Sequence, residues 1–135
     1  MSGLDRIQRE GSMGKKILVV DDAMFMRVQL RNILSAEGYV ISEATNGQEA
    51  VQMSESIDPD LIFMDLTMPV MDGITAIKAI IQAKPGTKIV VCSALGLPNM
   101  VMEAVQAGAR DFIVKPFQPA RVVSSAQQQL GVARA

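Results

Sequence analysis

The sequence predicts an α/β fold in which five parallel strands, each followed by a helix, form a doubly wound (βα)₅ sandwich. Two observations support that expectation. Short apolar runs alternate along the chain with longer segments whose apolar residues recur at helical spacing. The runs are also nearly uninterrupted in their apolarity, as expected of parallel strands covered by helices on both faces.

Taken in order, the first run is ILVV (17–20). Met26, Leu30, Ile33 and Leu34 follow at i, i+4, i+7 and i+8, on one face of a helix that Gly38 stops. The second run, YVISEA (39–44), leads through Asn46-Gly47 into a helix marked by Ala50, Val51, Ser54 and Ile57. Asp58-Pro59 ends it, because the residue before a proline disfavours helical backbone. LIFM (61–64) precedes a helix marked by Ile74, Ile77 and Ile81 and stopped by Pro85-Gly86. KIVVC (88–92) precedes one marked by Val101, Ala104 and Val105, ending at Gly108. DFIV (111–114) runs through Lys115-Pro116 into a last helix marked by Val123, Ala126 and Leu130. Parallel neighbours need right-handed crossovers, and such sheets bind ligands at the carboxyl ends of their strands.

The 135 residues fit one domain, and 49% of them are apolar, enough for a sizeable core. Thirteen basic and fourteen acidic residues give a formal charge of −1, which offers no electrostatic footprint for nucleic acid or an anionic membrane. No apolar stretch approaches the ~18 residues that span a bilayer, and the N-terminus lacks the apolar centre of a signal peptide, so the expected location is cytoplasmic. The lone Cys92 sits in an apolar run and reads as a buried small hydrophobe. Gly11, Ser12 and Met13 read like a cloning junction, which makes residues 1–12 an expected tag or disordered segment and 13–131 the domain.

Chemistry concentrates at the strand ends. Asp21-Asp22 follows the first strand, Asp65 the third, Ser93 the fourth and Lys115 the fifth. Each alone has a plain explanation: a helix N-cap for Asp21 or Asp22, a turn for Asp65, a loop hydroxyl for Ser93, a solvated charge for Lys115. Together they would place three carboxylates, a hydroxyl and an ammonium at one edge. Crowded carboxylates repel unless a cation intervenes, and an all-oxygen set suits Mg²⁺. Asp22 and Asp65 would ligate it directly, Asp21 through a water, with a backbone carbonyl near Thr67 completing the set. The chain has no histidine, so zinc has little support. A carboxylate so placed can act as a nucleophile toward phosphorus, with Asp65 as acceptor, Lys115 on one phosphoryl oxygen and the Ser93 hydroxyl on another.

From Lys15 to about Leu130 these residues resemble the receiver domains of two-component response regulators, most of all the stand-alone chemotaxis regulators. ILVVDDAMFMR resembles the family's acidic pair, FMDLTMPVMDG its phosphoacceptor loop, IVVCSALG the strand with the switch hydroxyl, and AGARDFIVKPF the lysine strand. The resemblance implies a flavodoxin-like sheet of strand order 2-1-3-4-5 and a cis bond before Pro116. It implies a sensor histidine kinase as phosphoryl donor and modest self-catalysis rather than turnover. It also implies a switch in which Ser93 moves inward and Phe112 rotates, changing the surface of the fourth helix, fifth strand and fifth helix. Serine replaces the frequent threonine at position 93, and Phe112 stands where tyrosine is common, so its rotation would rest on packing alone. Thr67, Ala94 and Leu95 occupy positions that tune phosphoryl lifetime in such domains.

Partner contacts are expected around Met100, Glu103, Gln106 and Arg121, though an ordinary solvated helix face would read the same way. The expected protein is a monomer acting on a downstream target such as a flagellar motor switch, with a possible phosphatase partner. A phosphorelay intermediate or a receiver outside chemotaxis remains open. A Mg²⁺-dependent aspartyl-phosphate phosphohydrolase is a remote alternative, because Leu66 and Thr67 follow Asp65 where a second aspartate would serve as general acid. A flavin carrier would need a phosphate-cradling loop where Asp21-Asp22 stands.

Overall fold

A computed structural model describes residues 14–94 and 96–131. The expectations for residues 1–12, for a start at Met13 and for Leu95 lie outside the described residues. The order is β1 (Lys16–Val20), α1 (Met24–Ser35), β2 (Val40–Ala44), α2 (Gly47–Ile57), β3 (Leu61–Met64), α3 (Gly73–Ala83), β4 (Ile89–Ser93), α4 (Pro98–Ala107), β5 (Asp111–Val114) and α5 (Pro119–Leu130). All strand pairs are parallel, and the five strands lie in the order β2-β1-β3-β4-β5. The sheet is the one the resemblance implied.

Strand alternation divides the core in two. Leu18, Val20, Ile62, Met64, Ile89 and Val91 face one side and pack with Ala50, Ala76, Ile77, Ile80 and Ala104 of α2, α3 and α4. Ile17, Val19, Leu61, Phe63, Val90 and Cys92 face the other and pack with Leu30, Leu34, Val122, Ala126 and Leu130 of α1 and α5. Each fully buried aliphatic side chain of this kind contributes about 1.5–3 kcal/mol. Burial pushes the Cys92 thiol up to about 12, consistent with its reading as a core hydrophobe.

The helix starts follow local chemistry. Asn46 Oδ1 accepts from the Glu49 N–H at 2.8 Å, and the Glu49 carboxylate accepts in return from the Thr45 N–H at 3.0 Å. Asp72 Oδ1 caps α3 through the Thr75 N–H at 2.9 Å. α1 has no side-chain cap: its N-cap is Ala23, so neither Asp21 nor Asp22 takes that role. α2 ends as expected at Asp58, which is left-handed at φ 48°.

Two helix faces differ from the sequence reading. Val105 is 53% exposed, and α4 buries Ala107 beside the expected Ala104. In α5, Val122 is fully buried while Val123 is only partly so. In both cases a valine assigned inward lies further out, and a position one or two residues away is buried. Among the described residues, no helix is long and apolar enough to cross a membrane.

Candidate functional site

The sheet brings the acidic strand tips together through backbone pairing. The Asp65 N–H donates to the Val20 carbonyl at 3.0 Å, and the Asp21 N–H donates to the Ala44 carbonyl at 3.2 Å. The tip of β1 is therefore held between β2 and β3, and Asp65 emerges beside Asp21-Asp22. One carboxylate oxygen from each of Asp21, Asp22 and Asp65 lies within 4.8 Å of the others. Asp21 and Asp65 are buried and Asp22 is exposed.

β5 delivers the cation. The Lys115 N–H donates to the Ser93 carbonyl at 2.9 Å, which ties the ends of β4 and β5. From there the Lys115 ammonium donates to Asp21 Oδ2 at 2.6 Å and lies 3.8 Å from Asp65 Oδ2. The Lys115-Pro116 bond is cis, as the resemblance implied. Ser93 is buried at the end of β4, between the tips of β3 and β5. Gly73 admits close packing beneath the site, since a Cβ there would overlap the carbonyl oxygen of Asp65.

These surroundings set the protonation chemistry. Burial raises the Asp65 pKa to about 6; Asp21 adds to the rise, while Lys115 and the backbone amides of Leu66 and Thr67 oppose it. Burial also works against the charge of Lys115, but the Asp21 hydrogen bond and the nearby carboxylates outweigh it and raise its pKa. Three carboxylates against one ammonium leave an excess of two negative charges, the charge of one divalent cation. The donors are all oxygen, and one ligand is exposed to admit an ion with its waters. That set fits a hard divalent cation.

The remaining predicted residues are spread along the α4–β5–α5 side. Phe112 is half-buried in β5 and packs against the core beneath α4. Met100 is partly buried, and Glu103 and Gln106 are exposed. Arg121 is exposed, but its guanidinium holds both oxygens of Asp111, at 3.0 and 2.9 Å. Sequence reasoning missed Leu97, Met102, Val105 and Val114, exposed apolar residues of α4, its N-cap and β5. It also missed Arg27 and Glu43, whose guanidinium and carboxylate meet at 3.1 Å beside the acidic tip. The only available signal was an arginine one turn into α1 and a glutamate in β2, neither distinctive without the pairing.

Comparison with known proteins agrees with this architecture. The family model described as response regulator receiver domain matches residues 17–127. Chemotaxis protein CheY of Thermotoga maritima is 57% identical over 114 residues, spanning 84% of this chain and 95% of that protein. Chemotaxis protein CheY of Bacillus subtilis is 50% identical over 119 residues, spanning 87% and 99%. Among solved structures, the CheX-CheY-BeF3-Mg²⁺ complex from Borrelia burgdorferi matches with a TM-score of 0.85 and 32% identity, over 90% of this chain and 96% of that one.

Proposed function

The chain belongs to the response regulator receiver domain family and is closely related to chemotaxis CheY proteins; from that premise we propose that it is a single-domain phosphorylation switch that accepts a phosphoryl group on Asp65. The observation that most supports this reading is the buried Asp65 carboxylate, set beside Asp21 and Asp22 with the Lys115 ammonium 3.8 Å away.

An Asp65 oxygen attacks the phosphorus of a phosphohistidine on a sensor kinase. The new P–O bond forms as the P–N bond breaks, its electron pair returns to the imidazole, and solvent supplies the proton. Asp65 must be ionised for this, and a pKa of about 6 leaves it so at neutral pH. Asp22 and Asp65, with Asp21 through a water and the Thr67 carbonyl, would hold Mg²⁺, which supplies charge neutralisation for the phosphoryl oxygens when bound. Lys115 turns from Asp21 toward one phosphoryl oxygen, and the Ser93 hydroxyl donates to another.

Output follows from that rearrangement. The adduct adds charge and strong acceptor oxygens, so Ser93 and the loop after β4 draw inward. Phe112 then moves further into the space beneath α4, biasing a pre-existing two-state surface of α4, β5 and α5. Met100, Glu103, Gln106 and Arg121 lie on those elements and would meet the target, which in a chemotaxis pathway is a flagellar motor switch. The exposed Leu97, Met102, Val105 and Val114 add apolar area to the same side. The Borrelia structure holds CheY with CheX, BeF3 and Mg²⁺; by that likeness this chain would bind magnesium and a second protein, and a phosphatase is among the partners proposed for it. The protein acts in the cytoplasm as a monomer.

The test is incubation with a small phosphodonor and Mg²⁺ followed by intact mass. Wild type gains one phosphoryl group and Asp65→Asn gains none. Equal gain by both proteins would show that another residue is the acceptor.

A further inference from the structure

We propose that Arg27 is a positioning residue for the acidic tip: from α1 its guanidinium holds the carbonyl of the Asp21–Asp22 peptide and so sets where the Asp22 carboxylate stands toward a divalent cation. The proposal rests on the reading of Asp21, Asp22 and Asp65 as the cation and phosphoryl site.

Three of the four polar groups of Asp21 are held by other residues. Its N–H donates to the Ala44 carbonyl at 3.2 Å, Oδ1 accepts from the Ala23 N–H at 2.9 Å, and Oδ2 accepts from Lys115 at 2.6 Å. The fourth, the carbonyl that begins the Asp21–Asp22 peptide, accepts from Arg27 Nη1 at 2.8 Å. The Arg27 backbone N–H makes the ordinary first-turn helix bond to the Ala23 carbonyl at 3.1 Å, so the hold on the acidic tip is the work of its side chain. Asp22 is exposed, so its position follows from the peptides that flank it, and the Arg27 guanidinium grips the carbonyl of the preceding one.

Arg27 is itself fixed. Its side chain is 14% exposed, and its Nε donates to Glu43 Oε1 at 3.1 Å. The other Glu43 oxygen accepts from Arg31 Nε at 2.8 Å. Glu43 immediately precedes Ala44, whose carbonyl holds the Asp21 N–H, so the brace closes a ring from β2 through α1 to the end of β1. The guanidinium is a planar fork that serves Glu43 and the Asp21 carbonyl with two differently directed N–H groups at once. A lysine ammonium on a flexible stem does not reproduce that geometry. Groups that orient metal ligands commonly change metal affinity by about tenfold or more when removed.

The experiment measures Mn²⁺ affinity by electron paramagnetic resonance and thermal midpoint for wild type, Arg27→Lys, Arg27→Met and Arg31→Met. Arg31→Met removes an ion pair to Glu43 while leaving the Arg27 hold on the Asp21 carbonyl. Arg27→Lys and Arg27→Met are expected to weaken Mn²⁺ binding by about tenfold, with Arg31→Met lowering the midpoint but leaving affinity as in wild type. A merely structural Arg27 would lower the midpoint of its variants and leave their Mn²⁺ affinity unchanged, which overturns the proposal. If Arg27→Met fails to fold, Arg27→Lys decides by the same criterion. Wild type that binds no Mn²⁺ at a site abolished by Asp65→Asn would overturn the underlying site reading, and this inference with it.

Discussion

Lys115 donates to Asp21 at 2.6 Å while standing 3.8 Å from Asp65. The ammonium is thus engaged mainly by Asp21 rather than by Asp65, the proposed phosphoryl acceptor. The same pairing accounts for how Asp21 stays buried at 1% exposure beside two other acids.

Lys115→Met should therefore cost more than a surface charge would. It leaves the Asp21 carboxylate buried beside Asp65 without its cation, a loss of about 2–3 kcal/mol by urea unfolding without divalent ions. Saturating Mg²⁺ should recover part of the loss, because it restores positive charge to the cluster. Unchanged stability in this variant would contradict the role of Lys115 as counter-charge.

The Asp65 pKa gives a pH dependence with a definite sign. Its folded value is about 6 against an ordinary 3.8, so the folded state binds the extra proton between those values. Without divalent ions, stability from this group falls as pH rises through that window, by about 2–3 kcal/mol. Mg²⁺ should then raise the thermal midpoint at about pH 7.5 and do little at about pH 5, where the proton competes. Equal stabilisation at both values would contradict the shift.

Asp111 has the opposite sign. The Arg121 hydrogen bonds, helped by Ser125 and the Phe112 N–H, hold its pKa at about 2, despite partial burial. Its contribution is present above 3.8 and is lost as pH falls through about 2. Asp111→Asn should cost about 1–2 kcal/mol at neutral pH, discounted for the exposure of Arg121, and the gap to wild type should close in strong acid. A gap that persists there would assign the loss to packing.

Val70 lies at φ 70° in the loop after β3 and is 74% exposed. A β-branched residue in left-handed backbone is strained, and nothing buried compensates it. Val70→Asn should raise stability by about 1 kcal/mol in thermal or urea unfolding. A destabilised variant would show that the loop draws on the valine side chain.

What was legible in the sequence was what local pattern determines. LIFM matches β3 residue for residue, because a fully buried parallel strand leaves no polar interruption to blur its ends; DFIV matches β5 as well, although that edge strand is only partly buried and opens on Asp111. Asp21, Asp22, Asp65, Ser93 and Lys115 could be placed at one edge because parallel strands all end on the same side. The hidden features depend on tertiary pairing. Arg27 and Glu43 are 16 residues apart and meet only because β2 lies beside β1. The tie between Arg121 and Asp111 forms only when α5 docks on β5. Val105 read as core because apolarity alone cannot tell which residues of a short helix its neighbours leave in solvent. Taken alone, Asp21 fits a helix cap in the sequence; in the fold its Oδ1 accepts from the N–H of Ala23, the residue at the N-cap of α1.

The most direct measurement is a crystal structure grown with Mn²⁺ and phased to show anomalous scattering. A single strong peak touching the carboxylates of both Asp22 and Asp65 is the expected result. A folded domain with no peak at that edge, or with manganese on Asp22 while Asp65 stays paired elsewhere, would contradict a cation shared between the two strand tips.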